Sequence, residues 1–329
     1  MRVLVTGGGG FLGRAVLDLC LARGYAVRSF SRTPSPPLAA LGVEQHAGDL
    51  ADPAAVAAAV AGCAAVFHVA AKAGVWGPWD DYFRPNVLGT QNILAACRRH
   101  SVARLVYTST PSVVFDGASH AGADESLPYG HNFPCAYPHT KAIAEQAVLA
   151  AHSPPGLRVT ALRPHLIWGV GDPHLVPRIL ARAHRLRMIG SGQNRVDLTH
   201  VRHAAAAHLL AFDALADPSH PAGGRAYFIS DGAPVVLWDW INTLLRRLGR
   251  PPITRRLALP AASALGAVLE TVWRILPGLP GEPPLTRFVA TELAKDHWYS
   301  IAAARRDLGY APAPDLAPAM DALLASLRP

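Results

Sequence analysis

Short, almost uninterrupted apolar runs alternate along the first half of the chain with longer stretches in which apolar positions recur every three or four residues. The first pattern predicts strands buried on both faces, the second helices with one buried side. RVLVTG at 2–7 reads as a strand and Phe11 to Arg23 as a helix. YAVRSFS at 25–31 is a second strand and VEQHAGDL at 43–50 a short third one. Pro53 to Val60 reads as a helix, with Asp52 as its N-cap and Pro53 at its first position. AAVFHVA at 64–70 is the fourth strand, Val87 to His100 a helix, and ARLVYTST at 103–110 the fifth strand. Arg98, Arg99 and His100 suit the negative end of that helix dipole. Tyr137 to His152 is a long helix and LRVTALRP at 157–164 the sixth strand.

This alternation implies an α/β fold with a Rossmann-type doubly wound parallel sheet and right-handed crossovers. After Pro164 the pattern changes to short helices, Pro-rich turns and fewer strands. Residues 1–165 are expected to form a dinucleotide-binding domain, and 166–329 mainly a smaller substrate-binding lobe. The late run AYFIS, near 225–231, is expected to return to the first sheet, so the two parts are interleaved.

VTGGGGFLG puts Gly7, Gly10 and Gly13 between the first strand and the first helix. Gly7 permits a tight turn, Gly10 lets backbone N–H groups approach a pyrophosphate, and Gly13 allows close helix–strand packing. Phe11 and Leu12, which open the helix, and Ala70, at the end of the fourth strand, belong to the same expected cofactor-binding set. The second strand ends in Phe30-Ser31-Arg32, where NAD sites carry a carboxylate for the ribose 2′-hydroxyl. Ser31 can hydrogen-bond a 2′-phosphate and Arg32 can pair with it, which points to NADP(H). Asp49 and Leu50 close the third strand. Asp49 reads either as an adenine contact, with Leu50 on the ring, or as a cap. Lys72, after the fourth strand, is an anion contact or a loop lysine, and Pro164 is placed against the nicotinamide.

Tyr137 and Lys141 are four residues apart, hence on one helix face. A phenol ordinarily titrates near 10 (approximately), and a neighbouring ammonium is expected to lower that value. Thr110 ends the fifth strand, where the carboxyl ends of a parallel sheet border the ligand crevice. These three are the expected catalytic residues, with Ser109 as the alternative hydroxyl. His68, His131, His139 and His165 are each candidate acid–base groups, and none is assigned to catalysis.

The composition narrows the partners. Half of the 329 residues are hydrophobic and 16% are charged, enough to fill a core. Cys20, Cys63, Cys97 and Cys135 form no CxxC pair and no zinc spacing with His, so no metal is expected. The net charge of +8 is spread along the chain rather than interleaved with aromatics, which favours small anionic ligands over nucleic acid. A strand that begins almost at once argues for a cytoplasmic protein. The apolar stretch 257–279, broken by Pro260, Glu270, Arg274 and Pro277, fails as a membrane span and reads as a core or lid helix with at most peripheral membrane contact.

TGGGGFLG, the GDL after the third strand, TST, YxxxK and LRPxxIWG together resemble the extended short-chain dehydrogenase/reductase family. VDLTHVRHAAAAHLLA, EPPLTRF and HWYS with RDLGY are similar to its 3β-hydroxysteroid dehydrogenase branch, which includes sterol-4-carboxylate 3-dehydrogenases. AAKAGVWG and YTSTPSVV most resemble bacterial 2-alkyl-3-oxoalkanoate reductases of long-chain olefin biosynthesis. The resemblance spans the chain. It implies Thr110 as the active-site hydroxyl, Tyr137 as proton donor, Lys141 as its partner and Lys72 as a pyrophosphate contact. It also implies a homodimer, association with olefin-pathway enzymes, and an oxidoreductase of lipid metabolism. The implied reaction is NADPH-dependent reduction of a β-keto acid carrying long apolar chains to the β-hydroxy acid. An NAD(P)-dependent 3β-hydroxysteroid or sterol-4-carboxylate 3-dehydrogenase is the enzymatic alternative. A regulatory protein that binds NADP(H) without turnover is the other. Regulators of that kind often lack the Tyr or the Lys, and this chain has both. For the substrate carboxylate, His174 and Arg178 are candidate partners.

Overall fold

The computed structural model describes residues 1–276 and 278–328. Seven strands form its main sheet: β1 (Arg2–Thr6), β2 (Ala26–Ser31), β3 (Glu44–Ala47), β4 (Ala65–His68), β5 (Arg104–Thr108), β6 (Arg158–Pro164) and β7 (Arg225–Ile229). Their order is β3-β2-β1-β4-β5-β6-β7, and every pairing is parallel. The order reverses between β1 and β4, and a sheet of this kind places its ligand crevice at the carboxyl ends beside that switch.

The near-continuous apolar runs have the consequence the pattern implies. Val3 and Val5 of β1 enter one core with Phe67, Val106 and Leu162. Leu4, between them, enters the other with Val66, Leu105 and Val159, as alternation along a strand requires. Helices α1 (Phe11–Ala22) and α5 (Val201–Ala214) cover the first face. The second is covered by α2 (Pro53–Val60), α3 (Gly89–Arg99) and α4 (Ala136–Ala150). Asp52 caps α2 by accepting from Ala54 N and Ala55 N, with Pro53 following it. The helix expected from Val87 instead begins with a π-helical turn at Arg84–Leu88, continuous with α3. β3 stops at Ala47, so Asp49 and Leu50 lie beyond it.

The sequence pattern missed a second sheet of four short strands, in the order Val235–Val236, Arg195–Val196, His297–Tyr299, His120–Ala123. Each is two to four residues long, too short for alternation to show. It carries a segment of the first half of the chain, 120–123, into the second part, while β7 returns to the main sheet. The stretch 257–279 contains α6 (Leu259–Ile275); Pro277, counted among its interruptions, lies outside the described residues. Among the described residues no helix is long and apolar enough to cross a membrane.

Candidate active site

Glycine shapes the loop between β1 and α1. Gly7 has φ +69°, and a Cβ there would lie 3.1 Å from the Ala70 Cβ. A Cβ on Gly13 would come within 2.0 Å of the Gly7 carbonyl oxygen. Only glycine allows the first turn of α1 to pack so closely on the loop. Gly10 occupies the N-cap of α1 without a capping side chain, and its N–H donates to Gly7 O at 2.9 Å. The next N–H groups of α1 have no side-chain acceptor, which makes this end a cradle for a diphosphate. Phe11 and Leu12 open the helix behind it. The Thr6 hydroxyl accepts from Val69 N and Ala70 N, both at 3.0 Å, and so ties the loop after β4 to the end of β1.

At the end of β2, Ser31 donates to Thr33 O at 2.8 Å, so its hydroxyl shapes the turn. Arg32 is exposed and makes no ion pair or side-chain hydrogen bond among the described residues. Of the two, Arg32 is the group free to meet a phosphate. Asp49 accepts from Ala51 N at 2.8 Å within the turn before α2; the cap of that helix is Asp52, so Asp49 caps no helix. Leu50 is buried in the core beneath Gly89.

The catalytic candidates gather where β5, α4 and the loop after β4 meet. Thr110 caps the short helix Pro111–Val114, accepting from Ser112 N at 3.2 Å. Its Oγ1 donates to Ser112 Oγ at 3.1 Å, and its hydroxyl lies near enough to Tyr137, the second residue of α4, to favour the charged phenol. Ser109 is 4% exposed and locked in the sheet, with its N–H donating to Leu162 O. Of the two hydroxyls, that of Thr110 bears on the charge of the Tyr137 phenol. Pro164 ends β6, buried beside β7.

Tyr137 and Lys141 share a face of α4, but Lys141 does not settle on Tyr137. Its Nζ donates to Tyr107 OH and to Thr108 O, both at 2.6 Å, and lies 4.1 Å above the Tyr107 ring. The expected lowering of the phenol is overturned: burial pushes Tyr137 up to about 12, against the influence of the Thr110 hydroxyl. Polar atoms at the end of β5 hold the ammonium, and in a dry cleft desolvation of the phenolate outweighs other influences.

Burial also lowers Lys141, to about 7, against the pull of Glu145. The unfolded chain therefore binds the extra proton at pH values between there and the ordinary lysine value. Stability should rise with pH across that window, and the full penalty should stand below it. From pH 7 to pH 9 the wild-type gain is about 2 kcal/mol. Lys141→Met should be more stable at neutral pH and lack that rise, as urea unfolding at several pH values would read. An unchanged pH slope in the variant would refute the burial assignment.

The histidines sort cleanly. His68 is 1% exposed, bridges Thr6 (2.8 Å) and Thr90 (3.0 Å), and is lowered to about 3 by burial and then by Lys141. It is a neutral lock between β1, β4 and α3. His165 pairs with His297 at 2.6 Å. His139 is exposed on α4 between Trp79 and Phe133, and His131 is exposed. Lys72 is exposed after β4, 6.0 Å over the Tyr82 ring. Arg178 pairs with Glu282 at 3.3 Å, and His174 is exposed. No three His, Cys, Asp or Glu side chains gather as metal ligands among the described residues.

Asn86 was not anticipated. It is 2% exposed, accepts from Lys72 N (2.7 Å), and donates to Lys72 O (3.0 Å) and Thr140 Oγ1 (3.1 Å). It thus holds the loop after β4 against α4, one residue before Lys141. It sits in the π-helical turn, a feature frequent at functional sites. The signal available was a lone amide next to Pro85 at an irregular helix start, which single-sequence periodicity does not resolve.

Comparison with known proteins bears on this geometry. Residues 4–260 match the model of the 3-beta hydroxysteroid dehydrogenase/isomerase family. A 2-alkyl-3-oxoalkanoate reductase of Stenotrophomonas maltophilia is 52% identical over 95% of this chain and 95% of its own. One of Shewanella oneidensis is 46% identical over 99% of this chain and 86% of its own. The crystal structure of gox2253 superposes with a TM-score of 0.78 at 26% identity, covering 99% of this chain and 96% of that one.

Proposed function

The chain belongs to the 3-beta hydroxysteroid dehydrogenase/isomerase family and is an NAD(P)-dependent oxidoreductase of hydroxyl and keto groups; within that class, we propose that it uses NADPH to reduce a 2-alkyl-3-oxoalkanoic acid to the 2-alkyl-3-hydroxyalkanoic acid in long-chain olefin biosynthesis. The observation that carries this reading is the near-full-length likeness to reductases of that name, together with a half-buried phenol beside a threonine at the carboxyl end of β5.

The glycine loop and the uncapped start of α1 fit a dinucleotide, since a Cβ would fill the cradle at Gly7 and Gly13. A nicotinamide dinucleotide held by that loop would supply hydride chemistry to a carbonyl or alcohol carbon. Tyr137 gives its proton to the carbonyl oxygen, and burial keeps that proton on the phenol at neutral pH. Thr110 holds the same oxygen by a hydrogen bond. Lys141, on α4, directs its ammonium to the end of β5 and would be the residue that holds a cofactor hydroxyl there. Arg32 meets the 2′-phosphate and selects NADPH over NADH. Thr110, Tyr137 and Lys141 are thus the catalytic set. Gly7, Gly10, Phe11, Leu12, Gly13, Ser31, Arg32, Asp49, Leu50, Ala70, Lys72 and Pro164 line the cofactor. We further place the enzyme in the cytoplasm as a homodimer.

Initial rates across long-chain β-keto acids and a panel of hydroxysteroids, each with both cofactors, test this. The reading expects turnover of β-keto acids with NADPH, and Arg32→Ala should raise KM for NADPH about tenfold while leaving that for NADH nearly unchanged. Turnover of steroids alone would overturn the substrate assignment. An unaltered KM for NADPH would overturn the role of Arg32.

A further inference from the structure

Tyr107 is a phenol at a place where the pattern of β5 needs only an apolar ring. It lies in the second core with Leu105, Val148 and Val159 and is 1% exposed. A phenylalanine would fill that place equally well, and a buried hydroxyl costs stability unless a partner meets it. The partner is Lys141, itself 2% exposed, whose Nζ donates to the hydroxyl at 2.6 Å. Burial pushes Tyr107 well above its ordinary value, so the acceptor is a neutral phenol. The contact is a charge-assisted hydrogen bond from an ammonium and not an ion pair.

An ammonium buried this deeply gives up its proton readily, unless its surroundings favour the charge. Each element packed around it can be asked what it contributes. On β5, Thr108 O accepts at 2.6 Å. On the next turn of α4, Glu145 favours the charge, but Arg163 of β6 and Tyr129 already donate to its carboxylate. On the preceding turn, Tyr137 is raised to about 12 and stays neutral. On β4, His68 is lowered to about 3 and is neutral too. Tyr107 is thus the one side chain that accepts directly from the Lys141 ammonium among the described residues.

We propose that Tyr107 is a positioning residue, whose hydroxyl keeps Lys141 charged and fixed at the end of β5. An ammonium has three protons to donate. Tyr107 OH and Thr108 O take two of them and leave the third for a ligand. In ketone reduction a charged Lys141 favours the phenolate that Tyr137 becomes as it gives up its proton. That step to catalysis rests on the ketoreductase reading, whereas the charge of Lys141 does not.

Urea unfolding of the full chain at about pH 6 and about pH 7, wild type against Tyr107→Phe, is the test. Without the hydroxyl the folded chain releases the Lys141 proton at a lower pH, while the unfolded chain keeps it up to the ordinary lysine value. Through this group the folding constant of the wild type should grow about twofold over that interval, and that of Tyr107→Phe about fivefold. In a Lys141→Met background the same change should make no such difference. A hydroxyl that only fills space would shift stability equally at both pH values. That result would overturn the proposal, as would a pH-dependent difference that survives in Lys141→Met. In turnover, the alkaline limb of ketone reduction should move down by about one pH unit in Tyr107→Phe, and a limb that stays in place would also overturn it. A wild type that reduces no β-keto acid, beside the expected unfolding profiles, would support the role of Tyr107 and refute the substrate assignment instead.

Discussion

Tyr137→Phe is expected to lower kcat for ketone reduction by about a hundredfold to ten-thousandfold, with dinucleotide affinity little changed. The substitution removes one oxygen and keeps the ring. Reduction needs a proton at the carbonyl oxygen as the hydride arrives, and Tyr137, beside Thr110 at the end of β5, is the proposed donor. Since burial raises the phenol to about 12, its protonated form dominates through neutral pH. Reduction should not decline there for want of the proton, whereas alcohol oxidation, which needs the phenolate, should climb as pH rises. Stopped-flow single turnovers, with cofactor binding followed by fluorescence, separate the chemical step from binding. Turnover of Tyr137→Phe at a wild-type rate would end the assignment of Tyr137 as donor.

The largest expected effect on stability belongs to Glu145→Ala. Glu145, one helical turn beyond Lys141, is fully buried and faces Arg163, which is 4% exposed on β6. The guanidinium donates from Nη2 at 2.6 Å and from Nε at 3.0 Å, and Tyr129 OH donates to the same carboxylate at 2.7 Å. Removing the carboxylate leaves a buried cation and a half-buried phenol unpaired, a loss of about 3–5 kcal/mol. Against a usual total of about 5–15 kcal/mol, that is a large share. Removing both charges with Glu145→Met and Arg163→Met should recover much of it, because the cost lies in the orphaned charge rather than in the missing pair. Urea midpoints of the single and double variants decide. A single variant as stable as the wild type would show that the pair contributes nothing. The same carboxylate also favours the charged form of Lys141 against burial, so Glu145→Ala should impair catalysis even where it folds.

The inner parallel strands were legible because they are short, largely apolar runs bounded by turn residues, and burial on both faces demands such runs; the edge strand β3, Glu44–Ala47, is polar and mostly outside the core. Asp52 and Pro53 announced the start of α2 for an equally local reason, since a cap and its helix are adjacent in sequence. The second sheet was not legible, because its strands of two to four residues derive their meaning from partners far away in the chain, such as His297 for Val196 and for His120. Gly13 was readable as a close approach, although its partner, the Gly7 carbonyl, is a structural fact.

The amino-acid order by itself determined the α/β class, the position of the glycine turn, the shared helical face of Tyr137 and Lys141, and the missing carboxylate after β2. All of these rest on contacts within a turn or two of the chain, where spacing is geometry. Only the tertiary structure decided that Lys141 turns to Tyr107 and Thr108, that burial raises Tyr137, that His68 is a neutral lock, and that Asn86 braces the loop after β4. Desolvation and the choice among competing partners depend on what distant segments bring to the same place, and that information is spread over the whole chain rather than written at any one position.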